Sequence, residues 1–163
     1  MKFERIIFLD FDGVIVTQTT RFNKMDPLCM TQLKRVIDET DAWLVISSTW
    51  RHRKNLDQIK DIFTDHGFEE MGTRVIGLTP ILNGYMIRGR EIEKWIIDNE
   101  KWDELHMKSF IILDDDSDME PFMDRLIKTD RHKGMNEKDA VQAINMLKGY
   151  DENDIIQRRD KGQ

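Results

Sequence analysis

Two aspartates, Asp10 and Asp12, close a continuous apolar run in RIIFLDFDGV, and Gly13 follows them directly. Unpaired buried charge is costly, so carboxylates driven to the end of a buried strand need a partner or a cation. An aspartate there can attack a phosphoryl group and form an acyl phosphate, dividing one difficult displacement into two easier ones. A second carboxylate close by can protonate the leaving oxygen and then activate water. Gly13 would let the backbone turn and bring N–H groups towards phosphoryl oxygens. The plainer reading is a strand ending in a polar turn, where Asp and Gly are both common.

A second acidic run weighs against the plain reading. FIILDDDSD ends another apolar stretch with Asp114, Asp115 and Asp116, and Asp118 follows. So many carboxylates close together do not all stay charged without a cation. Magnesium takes oxygen ligands and usually accepts one or two carboxylates plus substrate phosphate. Asp10, the backbone carbonyl of Asp12, and Asp114 or Asp115 would suit it. A solvated acidic loop or a helix N-terminus is the alternative for this run, because Asp is favoured there anyway.

Two further stretches supply donors and cations. In LVISSTWR, Ser47 and Ser48 can donate to a phosphoryl oxygen and Arg51 can add a bidentate fork. The same hydroxyls can instead cap a helix expected to begin near His52, and both roles are compatible, with Ser47 on phosphate and Ser48 or Thr49 as cap. In MIRGREIEKW, Arg88 precedes a helix and is preferred over Arg90 as the cation facing a transferring phosphoryl group. His66, His106 and His132 have no zinc-like spacing and read as surface residues. Trp43 and Trp95 read as packing residues, whereas Trp50 lies inside the candidate site loop.

These residues need a frame, and periodicity supplies one. RIIFLD, AWLVISS, TRVIGL, SFIILDDD and RLIKTD read as strands. PLCMTQLKRVIDET reads as a helix with Asp26 as N-cap and Pro27 in its first position. RKNLDQIKDIFTDHGF is amphipathic and stops at Gly67; REIEKWIIDNEK and NEKDAVQAINMLKG are further helices, the last ended by Gly149. Strands apolar on both faces and alternating with helices imply a parallel sheet covered by helices. In such folds ligands bind beyond the carboxyl ends of the strands, where Asp10, Ser47 and Asp114 all fall.

Composition bounds the partners. The chain has 163 residues, enough for one domain with one core, expected over residues 1–149 with a polar tail over 150–163. A net charge of −6 argues against a broad grip on duplex phosphate, though a local basic pocket suffices for a nucleotide or a nucleic-acid end. The lone Cys29 has no internal disulfide partner, which fits a reducing compartment. No apolar run approaches the ~20 residues of a membrane helix, and the N-terminal run is too short for a signal peptide, so a cytoplasmic protein is expected.

Taken together, FLDFDGV, VISSTW and IILDDDSD resemble three ordered motifs of the haloacid dehalogenase (HAD) superfamily of phosphohydrolases. The resemblance implies Asp10 as nucleophile, Asp12 as general acid and base, Ser47 on the phosphate, Asp114 and Asp115 as magnesium ligands and Asp118 as a reserve ligand. The superfamily's remaining motif is usually a lysine, and Arg88 stands in for it here. SSTWR, RGREI and IKTDRHKGMNEKDAVQAINML are similar to the small capless subgroup associated with RNA-repair (Swiss Army Knife) architectures, related in pattern to polynucleotide 3'-phosphatase domains. A three-layer α/β/α, Rossmann-like fold of about five parallel strands is implied. The short segment between Asp12 and Ser47 leaves room for a loop at Thr17 to Lys24 but no cap domain.

The implied activity is magnesium-dependent phosphomonoester hydrolysis, with a nucleotide or a polynucleotide 3'-end as substrate. Arg51, His52, Arg53, Lys54, Arg88, Arg90, Arg131 and Lys133 are expected to converge as a basic collar. A phosphatase of nucleoside monophosphates or other small metabolites keeps the chemistry and changes the substrate. A non-catalytic phosphate-binding or interaction module on the same fold is the alternative of another class.

Overall fold

The computed structural model describes residues 1–84 and 87–149. The expected polar tail over 150–163, together with Tyr85 and Met86, lies outside the described residues. Five strands, β1 (Phe3–Leu9), β2 (Trp43–Ile46), β3 (Val75–Leu78), β4 (Leu105–Asp114) and β5 (Leu126–Lys128), form one sheet in the order β3-β2-β1-β4-β5. Every pairing is parallel. The chain runs outward from β1 to β3 and then crosses back to β4, so the order reverses beside β1. That reversal is the switch point at which α/β sheets open a crevice.

Alternation along the strands explains why each run is apolar throughout. Ile7, Leu9, Leu44, Ile46, Ile111 and Leu113 face one cluster, packed by α1 (Pro27–Thr40), α2 (Leu56–Asp65), the single turn α3 (Glu69–Gly72) and α5 (Glu137–Lys148). Ile6, Phe8, Val45 and Ile112 face the other, completed by Ile92 and Trp95 of α4 (Arg88–Asn99). Each fully buried side chain contributes roughly 1.5–3 kcal/mol relative to exposure. Helices on both faces make the three layers, and the described residues contain no cap.

Local chemistry sets the helix limits. Asp26 caps α1 by accepting from the Leu28 N–H at 3.0 Å, with Pro27 at the first helical position. Its other oxygen accepts from Thr17 Oγ1 at 2.7 Å, which ties the loop after β1 to that cap. The helix expected near His52 is instead a short 3-10 turn, Thr49–His52, and α2 starts at Leu56. Asn55 and Gln58 form a reciprocal capping box there, a stronger start signal than the serines upstream. β4 begins at Leu105, earlier than its apolar run suggests, because its first residues alternate between half-buried and exposed.

Candidate active site

The carboxyl edge of the sheet continues one residue beyond the strands. Asp10 N–H donates to Leu113 O, Ser47 N–H to Leu9 O, Thr79 N–H to Ile46 O and Thr129 N–H to Asp114 O, each at 3.0 Å. Asp10, Ser47 and Asp114 are therefore fixed side by side by ladder hydrogen bonds on a rigid sheet. Carboxylate oxygens of Asp10, Asp114 and Asp115 lie within 4.8 Å of one another. Arg88 Nη1 stands 3.4 Å from both Asp10 Oδ1 and Asp114 Oδ2, bridging the two buried carboxylates.

Arg88 owes its position to the first turn of α4. Its N–H donates to Asp118 Oδ2 at 3.2 Å, and the Gly89 N–H donates to Asp118 O at 3.0 Å. Asp118 thus serves the helix start and lies outside the oxygen cluster of Asp10, Asp114 and Asp115. A Cβ on Gly89 would lie 2.1 Å from Glu120 O and 2.4 Å from the Met119 carbonyl carbon. Glycine is needed for this close approach of helix to backbone. Alanine normally favours a helix over glycine by about 1 kcal/mol. Here Gly89→Ala is expected to destabilise by about 1–3 kcal/mol, because backbone has to move, and thermal unfolding reads that sign.

Gly13 has φ of +79°, and a Cβ there would meet Asp115 Oδ2 at 2.4 Å. Its N–H donates to Val16 O at 2.8 Å, so Gly13 shapes the turn and admits Asp115 rather than offering that N–H to a phosphate. Thr129 Oγ1 donates to Gly13 O at 2.6 Å and pins the same turn from β5. Asp12 sits half-buried on this turn, and its Oδ2 accepts from Trp50 Nε1 at 3.2 Å.

The loop after β2 divides its labour. Ser47 is fully buried and its Oγ has no hydrogen-bond partner, which leaves an unpaired hydroxyl beside Asp10. Ser48 Oγ accepts from the Trp50 N–H at 3.2 Å and is the cap of the short turn. Arg51 is a correction to the expected phosphate fork. Its guanidinium points inward, donating to the carbonyls of Thr79, Ser47, Ser48 and Pro80 and to Glu91 Oε1 at 2.7 Å. The collar is correspondingly thinner. Arg90 pairs with Glu93, while Arg131 Nε reaches Asp115 Oδ2 at 3.4 Å from the loop after β5.

The family described as the HAD domain in Swiss Army Knife RNA repair proteins matches residues 6–140. The chain belongs to that family. Neither a curated protein nor a solved structure matches it significantly. Its membership points to a phosphatase-type hydrolase acting on phosphorylated substrates, a class that in general uses a divalent metal. No helix among the described residues is long and apolar enough to cross a membrane.

The electrostatics of this HAD domain fit a cation. Burial, with Asp115 and Asp12 nearby, pushes Asp10 up to about 6, against the pull of Arg88 and the Phe11 N–H. Burial and then Asp10 push Asp114 up to about 8, again against Arg88. One guanidinium is too little positive charge to hold both carboxylates in their ordinary range, and a bound cation would lower both. Three oxygen donors on one edge, with no nitrogen or sulfur among them, match the chemistry of a hard divalent ion.

Reading the sequence alone missed Thr79 and Thr129 on the sheet edge and Glu91 behind Arg51. Thr79 follows an apolar strand in the manner of Asp10 and Ser47, so its place was open to inference. Glu91 has the look of an ordinary exposed charge in a first helical turn, and only the fold reveals its buried partner.

Proposed function

We propose that this HAD domain is a magnesium-dependent phosphomonoester hydrolase that works through an aspartyl phosphate on Asp10. The reading is carried by the meeting of Asp10, Asp114 and Asp115 within 4.8 Å, with Arg88 bridging two of them. An Asp10 carboxylate oxygen attacks phosphorus, and a new O–P bond forms as the bond from phosphorus to the leaving alcohol breaks. Asp12 gives its proton to that alcohol oxygen. In the second half Asp12 takes a proton from water as the water oxygen attacks phosphorus. The bond from phosphorus to Asp10 then breaks, releasing phosphate and restoring both side chains.

Ser47 Oγ donates to a phosphoryl oxygen, a role suited to a buried hydroxyl without a partner. Arg88 stabilises the charge that gathers on the phosphoryl oxygens. Asp10, the backbone carbonyl of Asp12, and Asp114 or Asp115 would hold a magnesium ion. When bound, the ion would neutralise phosphoryl charge and favour the ionised form of both buried carboxylates.

The substrate is proposed to be a polynucleotide 3'-phosphate end or a nucleotide. The family's association with RNA repair proteins, the absence of a cap among the described residues and the exposed Arg131 beside Asp115 support it. The net charge of −6 favours a second reading, a phosphatase of small metabolites or nucleoside monophosphates. Phosphate release from 3'-phosphorylated and 5'-phosphorylated oligonucleotides and from mononucleotides separates them. Higher kcat/KM on mononucleotides would replace the polynucleotide reading, and no release from any phosphomonoester would end the phosphatase reading. The single cysteine, Cys29, has no partner for an internal disulfide, which supports a reducing, cytoplasmic setting.

Cation binding also has a signature in stability. Folding raises Asp10 and Asp114 from the ordinary 3.8 to about 6 and about 8, so the metal-free folded state holds protons that the unfolded chain releases. Stability therefore falls as pH rises across that window. Magnesium reverses the loss by binding the ionised pair. The expected result is a Tm increase on adding magnesium that is larger at pH 8 than at pH 5. An equal increase at both would count against these carboxylates as the ligands.

A further inference from the structure

We infer that Trp50 is the positioning residue for Asp12, selecting which carboxylate oxygen handles the proton; this rests on Asp12 being the general acid and base. Trp50 Nε1 lies 3.2 Å from Asp12 Oδ2, across 38 positions of sequence. An indole N–H is a donor only. The oxygen it meets acts as an acceptor, and because the carbonyl oxygen of a protonated carboxyl accepts better than its hydroxyl oxygen, the proton that Asp12 gives to the leaving alcohol is favoured on Oδ1. Without that donor both oxygens are equivalent and the carboxyl group is free to rotate away from the leaving oxygen.

The indole is held firmly enough to do this. Its ring meets the fully buried Phe11 edge-on, with centroids 5.2 Å apart. Its backbone N–H donates to the Oγ of the buried Ser48. Arg51, donating to the carbonyls of Ser47 and Ser48, locks the turn below it. The loop that offers the unpaired Ser47 hydroxyl is thus the loop that orients Asp12. The other tryptophans behave differently: Trp43 and Trp102 pack on Phe3, and Trp95 packs on Phe8.

The test uses two substrates of nearly the same shape, phenyl phosphate and p-nitrophenyl phosphate. The phenolate leaving group needs a proton more than the nitrophenolate does. Trp50→Phe keeps a ring against Phe11 and removes the N–H. The expected result is a fall of about 10-fold in kcat/KM on phenyl phosphate, the quantity that reports the step in which the alcohol leaves. That fall should exceed the loss on p-nitrophenyl phosphate by about fivefold. In an Asp12→Asn background, Trp50→Phe should add almost nothing, because the group it positions is gone. Equal losses on both substrates, no loss at all, or additive losses in the double variant would overturn the assignment. Asp12→Asn alone must show the same leaving-group asymmetry, more strongly. If it does not, the acid-base reading of Asp12 has failed, and the role of Trp50 falls with it.

Discussion

Asp10→Asn is expected to lower kcat by at least about 10⁴-fold while leaving the protein folded. The size follows from the proposed covalent step, since an amide oxygen neither attacks phosphorus effectively nor supplies the charge that Arg88 faces. The fold survives for a separate reason. Asp10 makes its backbone ladder bond to Leu113 O through its N–H, which the substitution retains. Its carboxylate is buried beside Asp114 and raises the pKa of that neighbour. Removing one of two like charges relieves that repulsion, so the metal-free variant should melt no lower than the parent at pH 8. Turnover of p-nitrophenyl phosphate and a thermal scan without magnesium check both halves. Hydrolysis within tenfold of the parent would sink Asp10 as nucleophile. A large drop in Tm would mean that the carboxylate holds the edge together in its own right.

The residues of the site were legible because the sheet writes them into the chain. A strand buried on both faces is apolar until it leaves the sheet, so the first polar residue after each run marks the carboxyl edge. Asp10, Ser47 and Asp114 all follow that rule, and the family match agrees with the fold they imply. Arg88 was found by its sequence neighbour: Gly89 beside it is the contact point between α4 and the loop at Met119 and Glu120. What could not be read was where long side chains turn. Arg51 has the composition of a phosphate fork, yet its five donor contacts all lead into the protein. Whether an arginine faces a ligand or a set of carbonyls depends on which elements cross behind it, and that is a property of the tertiary structure. The expectation of a helix at His52 failed for a related reason. Serines before a polar run resemble a cap, but the turn they start ends after one cycle, and Asn55 begins the helix anew.

Arg51 and Glu91 carry the largest expected effect on stability. The Arg51 side chain is 1% exposed and that of Glu91 11%, at 2.7 Å, while Glu91 Oε2 also accepts from the Leu82 N–H at 3.0 Å. Burial drags the Arg51 pKa down and Glu91 opposes it, so the carboxylate is what keeps the guanidinium comfortable as a cation. Glu91→Ala removes that partner and strands a buried charge, which should destabilise by about 3–5 kcal/mol. For a domain of this size the corresponding fall in Tm is roughly 10 °C. Replacing both partners, Arg51→Met with Glu91→Leu, should recover only part of the loss. The pair itself is exchangeable for apolar packing, but the carbonyls of Ser47, Ser48 and Thr79 would lose their donor. The consequence reaches the chemistry through geometry. Glu91 lies one turn after Arg88 on α4, and Arg51 holds the loop that carries Ser47 and Trp50. The ion pair is the strut that fixes the helix bearing the cation against the loop bearing the hydroxyl. Urea unfolding of Glu91→Ala measures it directly, and a loss below about 1 kcal/mol would show that the two elements are held by packing alone.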